Sequence, residues 1–173
     1  MNSFRILSLV LLSAVIIGYS SCGKEDGPDD EFADNVWVIE TSQDYNTTAQ
    51  EAMINVENND TIHFKAGTYN IQSQLSISGK SGIVIRGEGR ENTILDFSEQ
   101  LAGAQGVLAT DMTNLIFADI TIQDTEGDGI KVKDAQGLSF IRVGAVFTGG
   151  ISSDNGAYGL YPVTSKDVLV QDC

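Results

Sequence analysis

The sequence predicts an all-β chain wound as a parallel β-solenoid with a short N-terminal capping helix. Three observations predict it. First, hydrophobic strands recur behind a shared turn position: Gly82, Asn114, Gly137 and Asp167 each precede one, at Ile83-Val84-Ile85, Leu115-Ile116-Phe117, Leu138-Ser139-Phe140 and Val168-Leu169-Val170. Gly, Asn and Asp are the residues that tolerate positive φ, so the recurring position reads as a left-handed turn. Second, the separations of 32, 23 and 30 residues between those positions align four apolar files at once. These are Ile83, Leu115, Leu138 and Val168; Ile85, Phe117, Phe140 and Val170; Leu75, Val107, Ile130 and Leu160; and Ile77, Ala109, Val132 and Pro162. Third, no helical period appears after residue 56, only short alternating runs broken by Gly, Asn and Asp. Short strands at such a period, with no helices between them, stack coil on coil and bury a continuous core.

Taken in order, residues 1–21 read as a signal peptide. Arg5 precedes the uncharged run ILSLVLLSAVII at residues 6–17, which is too short to span a bilayer. Ser20, Ser21 and Cys22 follow, and the stretch resembles a bacterial lipoprotein signal in which Cys22 becomes the lipidated first residue. Tyr19 departs from that pattern, which prefers Leu there, and an ordinary secretory signal is the alternative. Residues 22–34 carry six acids and one Lys and read as a solvated tether, either a plain spacer or an export tag toward the cell surface. Residues 35–60 form a cap. Trp37-Val38-Ile39 is a strand, and a helix spans about 48–56, with Thr48 and Glu51 as a capping box and Ala49, Ala52, Met53 and Val56 on one face. Residues 61–173 are the coils. The helix covers their first end, whose exposed edges would otherwise invite aggregation. The last strand breaks off at Cys173, so the expectation is an N-terminal fragment of a longer solenoid, with capping by a partner as the alternative. The longer offsets place about nine extra residues within 91–105 and about seven within 148–158, as loops leaving the stack.

Charge narrows the partners. Asp plus Glu number 24 against 10 Lys plus Arg, a formal net charge of -14, which argues against nucleic acid and against electrostatic docking on anionic lipid. Membrane attachment is then expected through the lipid anchor alone. Two cysteines and one histidine make neither a disulfide framework nor a Cys/His zinc site.

The stretches DTIHFKAGTY (60–69), Leu75-Ser76-Ile77 and IVIRGEGRENTIL (83–95) resemble the opening coils of right-handed parallel β-helix proteins of the pectate-lyase-like superfamily. The stretch NGAYGLYPVTSKDVLVQD (155–172) resembles a group of secreted β-helix lipoproteins within it. The resemblance covers about residues 35–173. It implies a right-handed parallel β-helix of the cell envelope, lipid-anchored at the outer membrane on its periplasmic side or at the cell surface. It does not assign activity, because that superfamily holds polysaccharide lyases, hydrolases, uronate epimerases and proteins without known activity.

Candidate chemistry lies on the outward face. Leu108 and Thr110, Lys131 and Lys133, and Tyr161 and Val163 should stand side by side on successive coils. Lys131, Lys133 and Tyr161 are candidate glycan-binding residues: a lysine pairs with the carboxylate of an acidic sugar and a tyrosine ring packs on its apolar face. Asp124, Glu126 and Asp128, in the turn before them, are a candidate Ca2+ site, without EF-hand spacing. In lyases and epimerases of the resembled fold, acids hold calcium and a Lys or Arg takes a proton, but no such motif is matched here. A solvated face with balancing charges is the plainer reading. Asp119, Arg142 and Asp172 share the same offsets and read as a structural charge ladder. His63 should point outward, Trp37 and Tyr45 should pack in the cap, and Cys173 should fill a core file. Two function classes stay open. One is a non-catalytic envelope module that binds polysaccharide, including acidic polysaccharide, or another envelope protein, a class that the outward aromatics Tyr158 and Tyr161 fit. The other is a lyase or uronate epimerase acting on acidic glycans.

Overall fold

The computed structural model describes residues 35–150, 152–153, 155–156 and 158–173. The predicted signal peptide, Cys22 and the acidic tether lie outside the described residues. The fold is an all-β parallel solenoid with one short helix, and the described residues make about five turns. Each full turn lays one strand in each of three sheets. The first sheet stacks β1 (Val36–Ile39), β2 (Thr61–Phe64), β5 (Val84–Arg86), β8 (Thr113–Ala118), β11 (Gln136–Ile141) and β14 (Lys166–Gln171) in that order. The second stacks β3 (Gly67–Asn70), β6 (Thr93–Asp96), β9 (Thr121–Gln123) and β12 (Gly144–Val146). The third stacks β4 (Ser73–Ser78), β7 (Ala102–Thr110), β10 (Ile130–Lys133) and β13 (Leu160–Val163). Every pairing between named strands is parallel.

The files expected from the offsets are the files observed. Leu138 pairs with Leu115 and Val168, and Phe140 with Phe117 and Val170. Ile130 pairs with Val107 and Leu160 in the third sheet. The central members are buried, and the Phe117 and Phe140 rings stack at 5.6 Å and 13°. At β14 the same files emerge into solvent, with Val168 and Val170 at 39% and 55% exposure. Cys173, expected in a core file, is exposed there too. No further coil lies over β14 among the described residues, and a file position is interior only when coils flank it on both sides. Its thiol instead receives the Val143 N–H at 3.4 Å.

The turn position also extends one coil further back than the sequence reading traced it. Asn59, Gly82, Asn114, Gly137 and Asp167 all have φ between 50 and 72°. Two further left-handed corners recur at the same offsets: Gly79, Asp111, Asp134 and Thr164 form one, and Asp119, Arg142 and Asp172 the other. The extra residues of the second coil are spread, not gathered in one loop. The partner lies 23 residues ahead at Thr61–Val84, 26 at Gly67–Thr93, 29 at Ser73–Ala102 and 32 at Leu75–Val107, so three residues enter at each of three successive places.

The helix α1 (Tyr45–Asn55) begins three residues before the predicted start. Asp44, not Thr48, caps it: the Asp44 carboxylate accepts from Thr47 N–H at 3.4 Å and from Thr47 Oγ1 at 2.8 Å. The Thr48 hydroxyl donates to the Asp44 carbonyl at 2.7 Å, so it is spent inside the first turn and cannot cap. The predicted buried face holds, since Ala49, Ala52, Met53 and Val56 are all buried. β1 belongs to the first sheet as its edge strand, with Trp37 and Ile39 opposite Ile62 and Phe64. Tyr69 anchors this end. It packs edge-on against Tyr45 and Phe64, and its hydroxyl lies 2.9 Å from the Ile39 carbonyl and 2.8 Å from that of Lys65. Burial, reinforced by the charges of Glu88 and Glu40, pushes its pKa up to about 12.

Candidate functional site

The outward strip of the third sheet is assembled by register. Ser76 stands beside Leu108, Leu108 beside Lys131, and Lys131 beside Tyr161. The parallel rank is Ser78, Thr110, Lys133 and Val163. The expected glycan-binding residues are therefore neighbours across coils, although Lys131 and Tyr161 are far apart along the chain.

A second rank, three residues earlier, completes the arrangement. The offsets that align Leu108, Lys131 and Tyr161 also align Gln105, Asp128 and Tyr158. Behind them Gly106, Gly129 and Gly159 form a file in which the coils approach closely. Gly106 N–H donates to the Asp128 carbonyl at 3.1 Å and Gly129 N–H to the Tyr158 carbonyl at 2.9 Å. A Cβ on Gly129 would lie 2.5 Å from the Gly159 carbonyl oxygen, so any side chain there would push the coils apart. Across this file Lys131 on one coil meets Tyr161 on the next.

The geometry is compact. Tyr158 and Tyr161 stack at 4.2 Å with 21° between ring planes. Lys131 Nζ lies 5.0 Å from the Tyr161 ring centre and 3.3 Å from Asp128 Oδ2. Asp128 is buried, Lys131 and Tyr161 are half-buried, and Tyr158 is 50% exposed. A cation–π contact and an ion pair thus hold one ammonium in place. Lys133 stands exposed in the adjacent rank. The sequence pairs Tyr158 with Tyr161 as outward aromatics and sets Asp128 among metal ligands; the pairing of Asp128 with Lys131 emerges only from the second rank.

The three acids of the candidate Ca2+ site are not brought together. Asp124 accepts from the Thr148 N–H and from its hydroxyl, each at 2.6 Å, and so fastens the start of the next loop. Glu126 is exposed, and Asp128 faces Lys131. Among the described residues no cluster of three or more His, Cys, Asp or Glu side chains is placed to hold a metal ion.

The ladder residues lie at one left-handed corner. Arg142 grips Asp119 through two bonds, Nε to Oδ1 at 2.5 Å and Nη2 to Oδ2 at 2.6 Å. Those bonds, opposed by partial burial and helped by the charges of Asp119 and Asp172, raise the Arg142 pKa. The Asp172 carbonyl accepts from Arg90 at 3.0 Å.

At the capped end, His63 takes the outward face expected of it but is covered there. It lies on the outer face between Val38 and Arg86 yet is buried, with Nε2 3.4 Å from Glu88 Oε1. Glu88 reaches over this face, bonding Lys65 Nζ and Ala66 N–H at 3.0 Å each. The Lys65 and Ala66 bonds, with partial burial opposing them, hold its carboxyl below the usual range. Asp60, buried, accepts from Glu57 N–H at 2.9 Å, from the Trp37 indole at 3.2 Å and from Asn35 at 3.3 Å. Burial pushes its pKa up, but these bonds outweigh it and leave the carboxyl below its ordinary value. Trp37, expected only to pack, is therefore also a hydrogen-bond donor.

Comparison with known proteins adds little to this geometry. No protein-family model matches the chain, and no curated protein matches its sequence. Among solved structures the chain is similar to a pectin methylesterase in complex with a hexasaccharide, with 11% identity and a TM-score of 0.30 over 82% of this chain and 67% of that one. The fold assignment rests on the strand order and register: the chain is an all-β parallel β-solenoid carrying one short helix.

Proposed function

We propose that this protein is an exported, lipid-anchored solenoid of the cell envelope that binds polysaccharide through the outward strip of its third sheet. The observation that carries the reading is the Tyr158–Tyr161 stack with Lys131 and Asp128 beside it. A rigid aromatic platform receives the apolar face of a sugar ring, while a lysine and a carboxylate at its edge supply a donor and acceptors for hydroxyls. The strip runs across the coils at about 4.8 Å per step, a scale suited to an extended chain. Lys131 is held by Asp128 and by a ring face, which suits a fixed hydrogen-bond donor. Residues 1–22 support the addressing part of the proposal, with Cys22 as the lipidated residue and the outer membrane as the destination.

Two measurements test it. Replacing Tyr158 and Tyr161 with Ala should leave the fold intact and lower retention on immobilised polysaccharide by at least about tenfold, the scale of losing stacked ring contacts. Unchanged retention would remove the binding proposal. Replacing Cys22 with Ser in cells should move the protein from the membrane fraction to the soluble one, and a variant that stays in washed membranes would refute the anchor.

A further inference from the structure

The Lys131–Asp128 pair narrows the class of sugar. The sequence alone pointed to an acidic glycan, because two lysines stand beside a tyrosine. The structure changes the electrostatic balance. Lys131 already has a carboxylate at 3.3 Å, and Asp128 is buried against it. A uronate approaching Lys131 therefore meets a nearly neutral pair, not a free cation. Lys133 is followed directly by Asp134, which lines one groove with Asp111 and Lys166, and Glu126 is exposed close by in the chain. The whole chain carries a formal net charge of -14, so long-range attraction for a polyanion is missing as well.

We infer that the Tyr158–Tyr161 site takes a neutral sugar and discriminates against the corresponding uronic acid. The inference rests on reading this site as a glycan site. Tyr158, the more exposed ring of the stack, is the platform, and Tyr161 backs it. An ionised carboxylate such as Asp128 offers about four acceptor positions and an ammonium offers three donors. One bond joins the two groups, so both keep capacity for neighbouring hydroxyls on a sugar edge. A hydroxyl can donate to Asp128 and accept from Lys131. A uronate oxygen can only accept, and it brings its charge close to that of Asp128, where repulsion is strongest in a partly desolvated site.

The test is binding of a panel of neutral oligosaccharides, each matched with the oligomer of its own uronic acid: mannose with mannuronate, galactose with galacturonate, glucose with glucuronate. The full chain is used, with Tyr158→Ala and Asp128→Asn as variants, and calorimetry is run at low and high salt. The expected result is that at least one neutral member binds about tenfold or more tightly than its uronate and that salt leaves its affinity unchanged. Tyr158→Ala should abolish this binding, and Asp128→Asn should narrow or reverse the preference. Tighter, salt-sensitive binding of a uronate that Tyr158→Ala still abolishes would overturn the inference and leave the glycan site standing. Binding that Tyr158→Ala does not affect, or no binding across the panel, would overturn the glycan site and the inference together.

Discussion

Asn114 and Gly137 occupy the same corner on adjacent coils, and one explains the other. Both adopt left-handed backbone, but Asn114 Oδ1 fills the space where a Cβ of Gly137 would sit, 2.5 Å away. Asn59 stands over Gly82 in the same way. The alternation Asn59, Gly82, Asn114, Gly137 is therefore a packing rule: an amide on one coil demands glycine on the next. Gly137→Ala should cost about 1–3 kcal/mol from left-handed strain alone, with the overlap adding to it. Gly149→Ala, where nothing lies within 4 Å, should stay within about 0.5 kcal/mol. Urea denaturation compares them, and equal losses would refute the rule. Asp60 gives a second residue-scale prediction. Its folded pKa lies below the ordinary value of 3.8, so its stabilisation is present above that value and is lost as pH falls through the lower folded one. Asp60→Asn should therefore be less stable than the parent at neutral pH, with the gap closing in acid. A gap independent of pH would show that the charge is not what the Glu57, Trp37 and Asn35 donors stabilise.

At the scale of elements, the helix shows how local signals compete. Thr48 and Glu51 have capping-box spacing, but Asp44 starts the helix one turn earlier with a side chain that reaches Thr47. Asp44→Ala should cost about 1 kcal/mol, and Thr48→Ala less, as measured by thermal unfolding. The reverse order would restore the capping box. Strand files were legible because each repeats one chemical type at one offset. Corners were legible only in part: Gly82, Asn114 and Gly137 advertise left-handed backbone, whereas Arg142 adopts φ of 52° under its grip on Asp119, which no propensity announces. The candidate site divides the same way. The offsets predicted that Lys131 would meet Tyr161. The Asp128–Lys131 pair is not legible in the same way, because Gln105, Asp128 and Tyr158 share no chemistry along their file. For His63 alternation assigns the face correctly, while its burial on that face depends on Glu88 arriving from the next coil.

The molecule is a stack in which each strand pairs only with its neighbours, and the Arg90–Asp172 bond is a longer reach across the corner file, so stability should be close to a sum of coil and interface contributions. The first end is covered by α1 and the Tyr45–Tyr69–Phe64 cluster, whereas the files open to solvent at β14. Equivalent residues in one file should therefore contribute unequally. Phe140 is fully buried and stacked on Phe117, so Phe140→Ala removes contacts to coils on both sides and should cost about 3–5 kcal/mol. Val170 is its register partner, but at 55% exposure it packs on one side only, so Val170→Ala should cost less than about 1 kcal/mol. Hydrogen exchange should show the same asymmetry. Amides of β5, β8 and β11 should be the slowest, β14 the fastest of the first sheet, and Phe140→Ala should accelerate exchange in β8, β11 and β14 before it reaches β2. Uniform acceleration from β2 to β14 would mean that the coils unfold as one unit, and the neighbour-by-neighbour account of this solenoid would fail.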